Sequence, residues 1–587
     1  MATVSGASGE RAAGRGVAGV RIEVEALGRR VKGSTLLQDV SFAVEPGELV
    51  AIVGGSGAGK TTLLEAMAGV QPPDEGCVRF DGADLSANLA AFRSVLGYVP
   101  QDDIIHAELP LAATLRYAAR LRLPAGSSPA MVEQAVTTAM AVLDLTARAD
   151  VKVAALSGGQ RKRASIAVEL LTSPDVFFLD EPTSGLDPAT GADLVGVMRN
   201  LTAAGATVVF TTHAVQDLTD CDRVVFLARG GQLAFVGPVW EALAYFGVER
   251  LEQVYARLAA EETPEAWAER FRTHRSVDPP TAATSATSPA APPTPTPEPA
   301  PAVVARRAGP GPWRQWRTLT ARTFATMVRN RLTLAILLGS PVLIVAMFAV
   351  LFRPGAFAFD DPNPTAIVMI LFWITFGSFF FGLTYGLLQI CTEQAVLRRE
   401  HLVGLRLGPY LASKVTVLLP FLLLVNAVML AVLRVLDRLP AASFTVYLSV
   451  GVTLSLVAAA ALTLGLLTSA AVANPAQATL ALPMLCFPAV LFSGAILPVN
   501  VMATAGAAIS VLMSNRWGFE ALGHDFGARR ILEEGGSPLG PPLVASYGES
   551  AASYRTPVYW LILAGFVVVF AAGALAVLRR TCRRPQR

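Results

Sequence analysis

Charge is in short supply in this chain: Asp, Glu, Lys and Arg make up 16% of its 587 residues, and mean hydropathy reaches +0.48. A chain that folds wholly in water carries more charge, so part of this one is expected in lipid. What charge there is nearly cancels, at +3. That balance calls for neither the basic footprint of a nucleic-acid binder nor the acidic block of a solvating tail, and no nucleic-acid partner is expected. Lysine is rarer still, five against forty-three arginines, a bias that fits a GC-rich bacterial coding sequence. Cys77, Cys221, Cys391, Cys486 and Cys582 stand apart with no CxxC pair, which excludes a thiolate zinc site and a disulfide framework and leaves free thiols. Residues 1–20 are rich in Gly, Ala and Arg and lack the apolar stretch of a secretory signal, so a disordered cytosolic tail is expected there.

The apolar excess is unevenly spread. Up to about residue 270 the composition is an ordinary soluble mixture, and after about 330 long uncharged runs take over. In the first half, Leu49-Val50-Ala51-Ile52-Val53 and Val176-Phe177-Phe178-Leu179 read as strands buried on both faces, each followed by turn or helix signals. This predicts an α/β domain over 21–250 and a polar helical extension over 251–275. Residues 276–312, packed with Pro, Ala and Thr, have the composition of an extended, disordered linker. Residues 313–331, rich in Arg, Thr and Trp, predict an amphipathic connecting helix at a membrane surface.

Crossing a bilayer takes roughly 20 apolar residues at a rise of about 1.5 Å each. Six runs meet that need, over 332–352, 366–390, 415–433, 446–472, 477–497 and 558–578, which makes 332–587 an all-helical membrane domain. Arg314, Arg317, Arg322, Arg329 and Arg331 precede the first run, and Arg579, Arg580, Arg583, Arg584 and Arg587 follow the last. The positive-inside bias therefore places both ends in the cytosol, with Glu393 to Lys414 inside and Val499 to Pro557 outside. The outer segment has neither a cysteine pair nor an Asn-x-Ser/Thr acceptor, which fits the inner membrane of a bacterium.

Chemistry is written most clearly in the first half. Gly54, Gly55, Ser56, Gly57, Ala58, Gly59, Lys60 and Thr61, followed by Thr62, match the phosphate-loop pattern between an apolar strand and a helix. The glycines let backbone N–H groups wrap phosphates, Lys60 neutralises their outer oxygens, and Thr61 offers a hydroxyl to Mg²⁺. The strand Val176 to Leu179 delivers Asp180 and Glu181 at its carboxyl end, the side on which open α/β sheets bind ligands. Asp180 is expected in the Mg²⁺ shell and Glu181 as the base for the attacking water.

Two further stretches, Leu156-Ser157-Gly158-Gly159-Gln160-Arg161-Lys162-Arg163 and Ser184-Gly185-Leu186-Asp187, resemble the signature and D-loop of ATP-binding cassettes. Gln101 in Tyr98-Val99-Pro100-Gln101-Asp102-Asp103 is similar to the family's Q-loop, and His213 in Thr211-Thr212-His213 to its switch histidine, all in family order. The resemblance implies that Glu181, His213 and Gln101 act in catalysis, and that Thr61, Gln101 and Asp180 hold Mg²⁺ with ATP. It further implies that Ser157, Gly158, Gly159 and Gln160 close on nucleotide held by a second cassette. One departure is Leu27-Gly28-Arg29-Arg30-Val31, where many cassettes carry an aromatic that stacks on adenine; an arginine face or Val31 stands there instead.

Cassette-first order, the run Ser157 to Arg163 and Ala167-Val168-Glu169-Leu170-Leu171 are similar to the G (White-like) subfamily. Glu393, Arg399, Glu400, Tyr410, Lys414 and Pro420 are spaced like that subfamily's coupling region, with Glu393, Arg399 and Glu400 as the coupling residues. Phe492-Ser493-Gly494-Ala495-Ile496 and Asn515 to Leu522 resemble the end of its fifth helix and the segment after it. The implied fold is an α/β phosphate-loop nucleotide-binding domain fused to an all-α six-helix transmembrane domain. The implied function is ATP-driven export of a hydrophobic or lipid-like substrate. Its partners are membrane lipids and a second half-transporter, most simply an identical chain. Trp373, Phe376 and Phe380, spaced three and four apart on the second run, are candidates for a substrate cavity.

Overall fold

The computed structural model describes residues 19–31, 33–93, 95–260, 263–277, 309–548 and 554–583. The expected tail over 1–20 and linker over 276–312 lie, but for their ends, outside the described residues. The chain divides into two compact units, one comprising residues up to Gly311 with Leu402–Gly404, the other Pro312–His401 with Leu405 onward.

The first unit holds two sheets. Strands β1 (Ile22–Val31), β2 (Ser34–Val44), β4 (Glu75–Phe80) and β5 (Ala83–Asp84) form an antiparallel sheet in the order β2-β1-β4-β5. The larger sheet contains β3 (Leu49–Gly54), β6 (Leu96–Val99), β7 (Val176–Leu179), β8 (Thr207–Thr212), β9 (Arg223–Ala228) and β10 (Gln232–Gly237), in the order β10-β9-β3-β8-β7-β6. All but β10 are parallel. Every residue of β3, β7 and β8 is buried, as expected of strands covered by helices on both faces. Because β3, β8, β7 and β6 are neighbours pointing the same way, the four loops after them open along one edge of the sheet. Those loops carry the phosphate loop, His213, the Asp180-Glu181 pair and Gln101.

Helices α1 (Lys60–Met67), α2 (Gly158–Leu170) and α3 (Pro188–Ala203) flank that edge. The extension after the sheet is two helices, α4 (Glu252–Ala260) and α5 (Pro264–Val277), and it is less polar in practice than its composition suggests. Trp267 of α5 is fully buried, its ring 5.2 Å from that of Phe246, and Phe271 stands 5.9 Å from Phe235 of β10. The aromatic stripe fastens the extension to the sheet.

The second unit is helical: α6 (Pro312–Arg329), α7 (Arg331–Leu351), α8 (Pro364–Leu387), α9 (Gln394–Leu402), α10 (Leu407–Val435), α11 (Phe444–Ala471) and α12 (Pro475–Leu491), followed by α13 (Thr504–Val511), α14 (Ser514–Asp525), α15 (Ala528–Glu534), α16 (Gly540–Tyr547) and α17 (Thr556–Arg583). Among the described residues, four of these, α8, α10, α11 and α17, are long and apolar enough to cross a membrane, while α7 and α12 contribute shorter apolar stretches, Pro341–Leu351 and Pro475–Leu491. Helix α8 is 72% buried within its apolar window and α17 only 17%, so α8 is central to the unit and α17 peripheral. A Cβ on Gly386 of α8 would stand 2.5 Å from Leu462 O, and one on Gly465 of α11 2.6 Å from Leu383 O, so glycine is what lets these two backbones approach.

Helix α10 begins eight residues before the apolar run over 415–433, so Lys414 lies inside it. Its ammonium is 2% exposed and donates to Glu393 Oε2 at 2.7 Å, so the charge is matched inside the protein and the helix runs on through it.

Candidate active site

The phosphate loop needs two glycines in the left-handed region, Gly57 (φ 76°) and Gly59 (φ 91°). At Gly59 any Cβ would also stand 2.4 Å from Leu36 O. The loop returns on Lys60, which is 8% exposed and donates from Nζ to Gly54 O at 2.9 Å and Gly55 O at 3.1 Å. Burial pulls the Lys60 ammonium below its usual pKa, and the neighbouring Glu181 and Asp180 carboxylates oppose that shift. A cavity of about 500 Å³ lies over the loop, lined by Ser56 to Thr62, Leu36, Glu181 and His213.

Asp180, 2% exposed at the end of β7, accepts from Thr61 Oγ1 at 3.1 Å and from Thr211 Oγ1 at 2.6 Å. Burial raises its pKa, and the two hydroxyls restrain the rise. The hydroxyl and carboxylate oxygens of Thr61 and Asp180 form a hard donor set that fits a hard divalent cation at the phosphates. Glu181 takes a left-handed backbone, φ 44°, rare for a residue with a side chain, and its N–H donates to the same Thr211 hydroxyl at 2.8 Å. One buried threonine thus sets the positions of both carboxylates. Gln101 Nε2 donates to Glu181 Oε2 at 3.3 Å, and His213 Nδ1 lies 3.5 Å from the same oxygen. Lys162, itself buried on α2, holds the Gln101 carbonyl at 2.6 Å.

The structure therefore gathers Lys60, Thr61, Asp180, Glu181, Gln101 and His213 at one mouth. It leaves the signature elsewhere. Ser157 caps α2, its Oγ accepting from the Gln160 N–H at 3.3 Å while Gln160 Oε1 accepts from the Ser157 N–H at 3.2 Å. Gly158 and Gly159 follow at that helix start, and none of the four lines this chain's phosphate cavity. In the stretch Ser184, Gly185, Leu186 and Asp187, Gly185 turns with φ 75° and Asp187 caps α3 by accepting from the Thr190 N–H at 3.0 Å.

Several contributors lie outside the motif patterns. The buried carboxylate of Asp217 accepts from Thr183 and Thr212, each at 2.6 Å, and so ties the entry of the D-loop stretch to the residue before His213. Tyr255 of α4 donates to the His213 carbonyl at 3.3 Å. Arg29, one of the residues standing where an adenine-stacking aromatic is common, is committed elsewhere. Its guanidinium donates to Pro72 O and to Gln71 Oε1, the latter at 3.0 Å, and Gln71 in turn donates to Glu65 Oε2 at 2.7 Å. Nothing in the spacing of these residues announces such roles.

Glu65 of α1 carries a pH signature. Burial, reinforced by Asp180, pushes its carboxyl from 4.5 up to about 7, against the pull of Arg29 and Tyr98. Since the folded pKa lies above the unfolded one, the unfolded chain ionises first as pH rises, and stability falls between pH 4.5 and about 7, by on the order of 3 kcal/mol. Glu65→Gln is expected to raise the cassette's thermal midpoint at pH 8 and to leave it unchanged near pH 4.5. An equal shift at both pH values would contradict the cause assigned.

In the second unit, Arg322 of α6 grips Glu400 of α9 with both Nη atoms, Nη2 to Oε2 at 2.9 Å, and the two residues are 4% and 8% exposed. Glu393 accepts from Lys414 and, at 3.3 Å, from the Tyr410 hydroxyl. Arg399 is buried beside them in sequence, at 6% exposure. Trp373, Phe376 and Phe380 form a half-buried aromatic ladder along α8, with centroids 5.7 Å and 6.2 Å apart, and none lines the pocket within this unit.

The ABC transporter family pattern matches residues 37–184, and the ABC-2 type transporter pattern matches residues 314–524. The chain is an ABC-transporter ATPase domain fused to an ABC-2 type permease domain. It is 33% identical over 496 residues to the ABC transporter ATP-binding/permease protein of Mycobacterium tuberculosis, covering 83% of this chain and 55% of that one. It is 35% identical over 238 residues to the Broad substrate specificity ATP-binding cassette transporter ABCG2 of Rattus norvegicus, covering 39% of this chain and 35% of that one. To the ABC transporter G family member 22 of Arabidopsis thaliana it is 37% identical over 220 residues, 36% of this chain and 29% of the plant protein. The chain thus spans about half the length of the mycobacterial relative and about a third of the other two. A solved ATP-binding subunit of an ABC transporter is 29% identical, with a TM-score of 0.37, covering 40% of this chain and 98% of that one.

Proposed function

We propose that this ABC ATPase–permease fusion hydrolyses ATP to export a hydrophobic or lipid-like substrate across the cytoplasmic membrane, working as a dimer of half-transporters, most simply of two identical chains. The observation that carries the reading is Glu181, whose carboxylate sits between Gln101 and His213 at the mouth of the phosphate cavity. The phosphate loop binds the nucleotide phosphates. Lys60 neutralises their charge, Glu181 takes the proton of the attacking water, and Gln101 and His213 orient that carboxylate. Thr61, Asp180 and Gln101 would hold Mg²⁺, which supplies further charge neutralisation on the phosphate oxygens when bound. Since Ser157, Gly158, Gly159 and Gln160 do not line this chain's own cavity, the reading assigns them to nucleotide held by the second chain.

In the membrane we assign six spans, with α7 and α12 as the first and fifth, and both termini in the cytosol on the arginine bias. Glu393, Arg399 and Glu400 couple nucleotide state to the helices, and Trp373, Phe376 and Phe380 face substrate in the assembled dimer. The test is ATP-dependent accumulation of hydrophobic compounds in inside-out vesicles containing the chain. Accumulation that follows ATP turnover supports export. Steady ATP turnover with no compound moved would favour a membrane ATPase that transmits force to another envelope protein.

The hydrogen bond from Tyr255 to the switch loop makes a smaller prediction. Tyr255→Phe is expected to lower kcat for ATP roughly 2- to 10-fold, the worth of one hydrogen bond, with KM unchanged. A rise in KM alone would assign Tyr255 to nucleotide binding instead.

A further inference from the structure

The second unit holds a pocket that no sequence motif for ATP turnover touches. Its volume is about 370 Å³, within the range of small-molecule sites. Ile367 and Leu371 of α8, Phe519 of α14, Leu532 of α15 and Val544 of α16 make its apolar wall. These residues belong to one packed core, so the space is a pocket let into that core and partly open to its surroundings. An apolar pocket of this size is a poor site for water, because its walls offer few hydrogen-bond partners and its apolar area stays wetted until something covers it. The fold gains by keeping an apolar molecule there.

One side of the cavity is charged. Arg516 lines it with a 15% exposed side chain, its guanidinium held from three directions. Nε donates to Glu520 Oε1 at 2.8 Å, Nη1 donates to Ser510 Oγ at 2.8 Å, and the Trp517 ring lies 4.7 Å from the guanidinium carbon. Among the described residues, Nη2 has no protein acceptor. Glu520, also in the lining, is engaged by Arg516 and by the Tyr559 hydroxyl. Arg529 adds a second cation to the lining and pairs with Glu533 at 2.8 Å. The spare polar capacity contributed by the charged lining is therefore a donor on a fixed cation, which suits an anionic or strongly accepting head group.

We propose that this cavity is a binding site for a single-chain anionic amphiphile, a fatty-acid-like molecule with its carboxylate on Arg516 and its alkyl chain against Ile367, Leu371 and Val544. The proposal does not rest on the export reading, since the site is complete without nucleotide. The amphiphile could enter from the surrounding bilayer or be delivered by transport, and the two sources differ in whether loading needs ATP.

Gly523 offers a clean block. It lines the cavity from within α14, and a Cβ there meets nothing within 4 Å, so a leucine side chain extends into the space while the helix gains propensity. The experiment is equilibrium binding of radiolabelled dodecanoate to the full chain in phosphatidylcholine nanodiscs, corrected with empty discs, with and without ATP and Mg²⁺. The expected result is saturable binding that weakens at least tenfold in Gly523→Leu, with dodecyltrimethylammonium competing at least tenfold less well than unlabelled dodecanoate. Saturation without nucleotide marks the bilayer as the source, and saturation only during turnover marks delivery by transport. Equal binding by the native chain and Gly523→Leu would overturn the site, and equal competition by the cation would overturn the role of Arg516.

Discussion

Glu181→Gln is expected to slow ATP turnover by roughly 10²–10⁴-fold, the range for losing a positioned general base, while ATP still binds. The substitution keeps size and hydrogen-bonding reach but removes the lone charge that can accept a proton from water. Glu181 is poised for that task by three separate restraints. Its N–H is tied to Thr211, and its carboxylate lies at 3.3 Å from Gln101 Nε2 and 3.5 Å from His213 Nδ1. Nucleotide affinity should change little, because Lys60 and the loop amides, which the proposed reading sets against the phosphates, are untouched. Phosphate release from the lipid-reconstituted chain, set beside binding of a fluorescent ATP analogue, separates the two effects. Turnover within about threefold of native would remove Glu181 from the base role and leave Asp180 or His213 to be considered.

The second large effect is expected from Arg322→Met, which removes the two-pronged guanidinium grip on the Glu400 carboxylate in a buried site. Breaking one side of such a pair costs about 3–5 kcal/mol, because the remaining charge loses its main compensation where water cannot reach it. With 8% exposure at Glu400 there is little solvent to screen the loss. For a unit of this size the cost corresponds to a fall of roughly 10 °C in thermal midpoint, readable in detergent micelles. Removing both charges, in Arg322→Met with Glu400→Leu, is expected to recover most of that loss, since two apolar groups need no partners. If the double variant is as unstable as the single one, the ion pair is not the source. If it is stable but ATP turnover no longer moves substrate, the pair serves coupling and not stability.

Much of the candidate site was legible in one dimension. The glycine spacing of 54–59 with Lys60 behind it has a direct physical reason, since two of those glycines adopt left-handed backbone. The apolar runs of β3 and β7 gave away strands, because a strand covered on both faces has no polar positions to alternate. The long apolar helices were legible for the same reason. That Lys414 lies inside α10, matched by Glu393 twenty-one residues away, was not, because no local spacing links the two. The extension over 251–275 looked polar because it is rich in Glu and Arg, while its packing is decided by Trp267 and Phe271 on one face.

By itself the sequence placed the phosphate-loop pattern in the first half and apolar helices in the second, and named the side chains that pattern asks for. Those properties follow from local spacing and composition, which the chain carries with it whatever its surroundings. Tertiary structure alone decided how the parts are held. Asp217 binds two loops together, Tyr255 reaches His213 from forty-two residues away, and Arg322 meets Glu400 across seventy-eight. The same holds for the cavity beside Arg516, walled by segments from Ile367 to Val544. A hydrogen bond or a cavity wall depends on distance in space, and no pattern along the chain encodes that distance until helices and strands have packed.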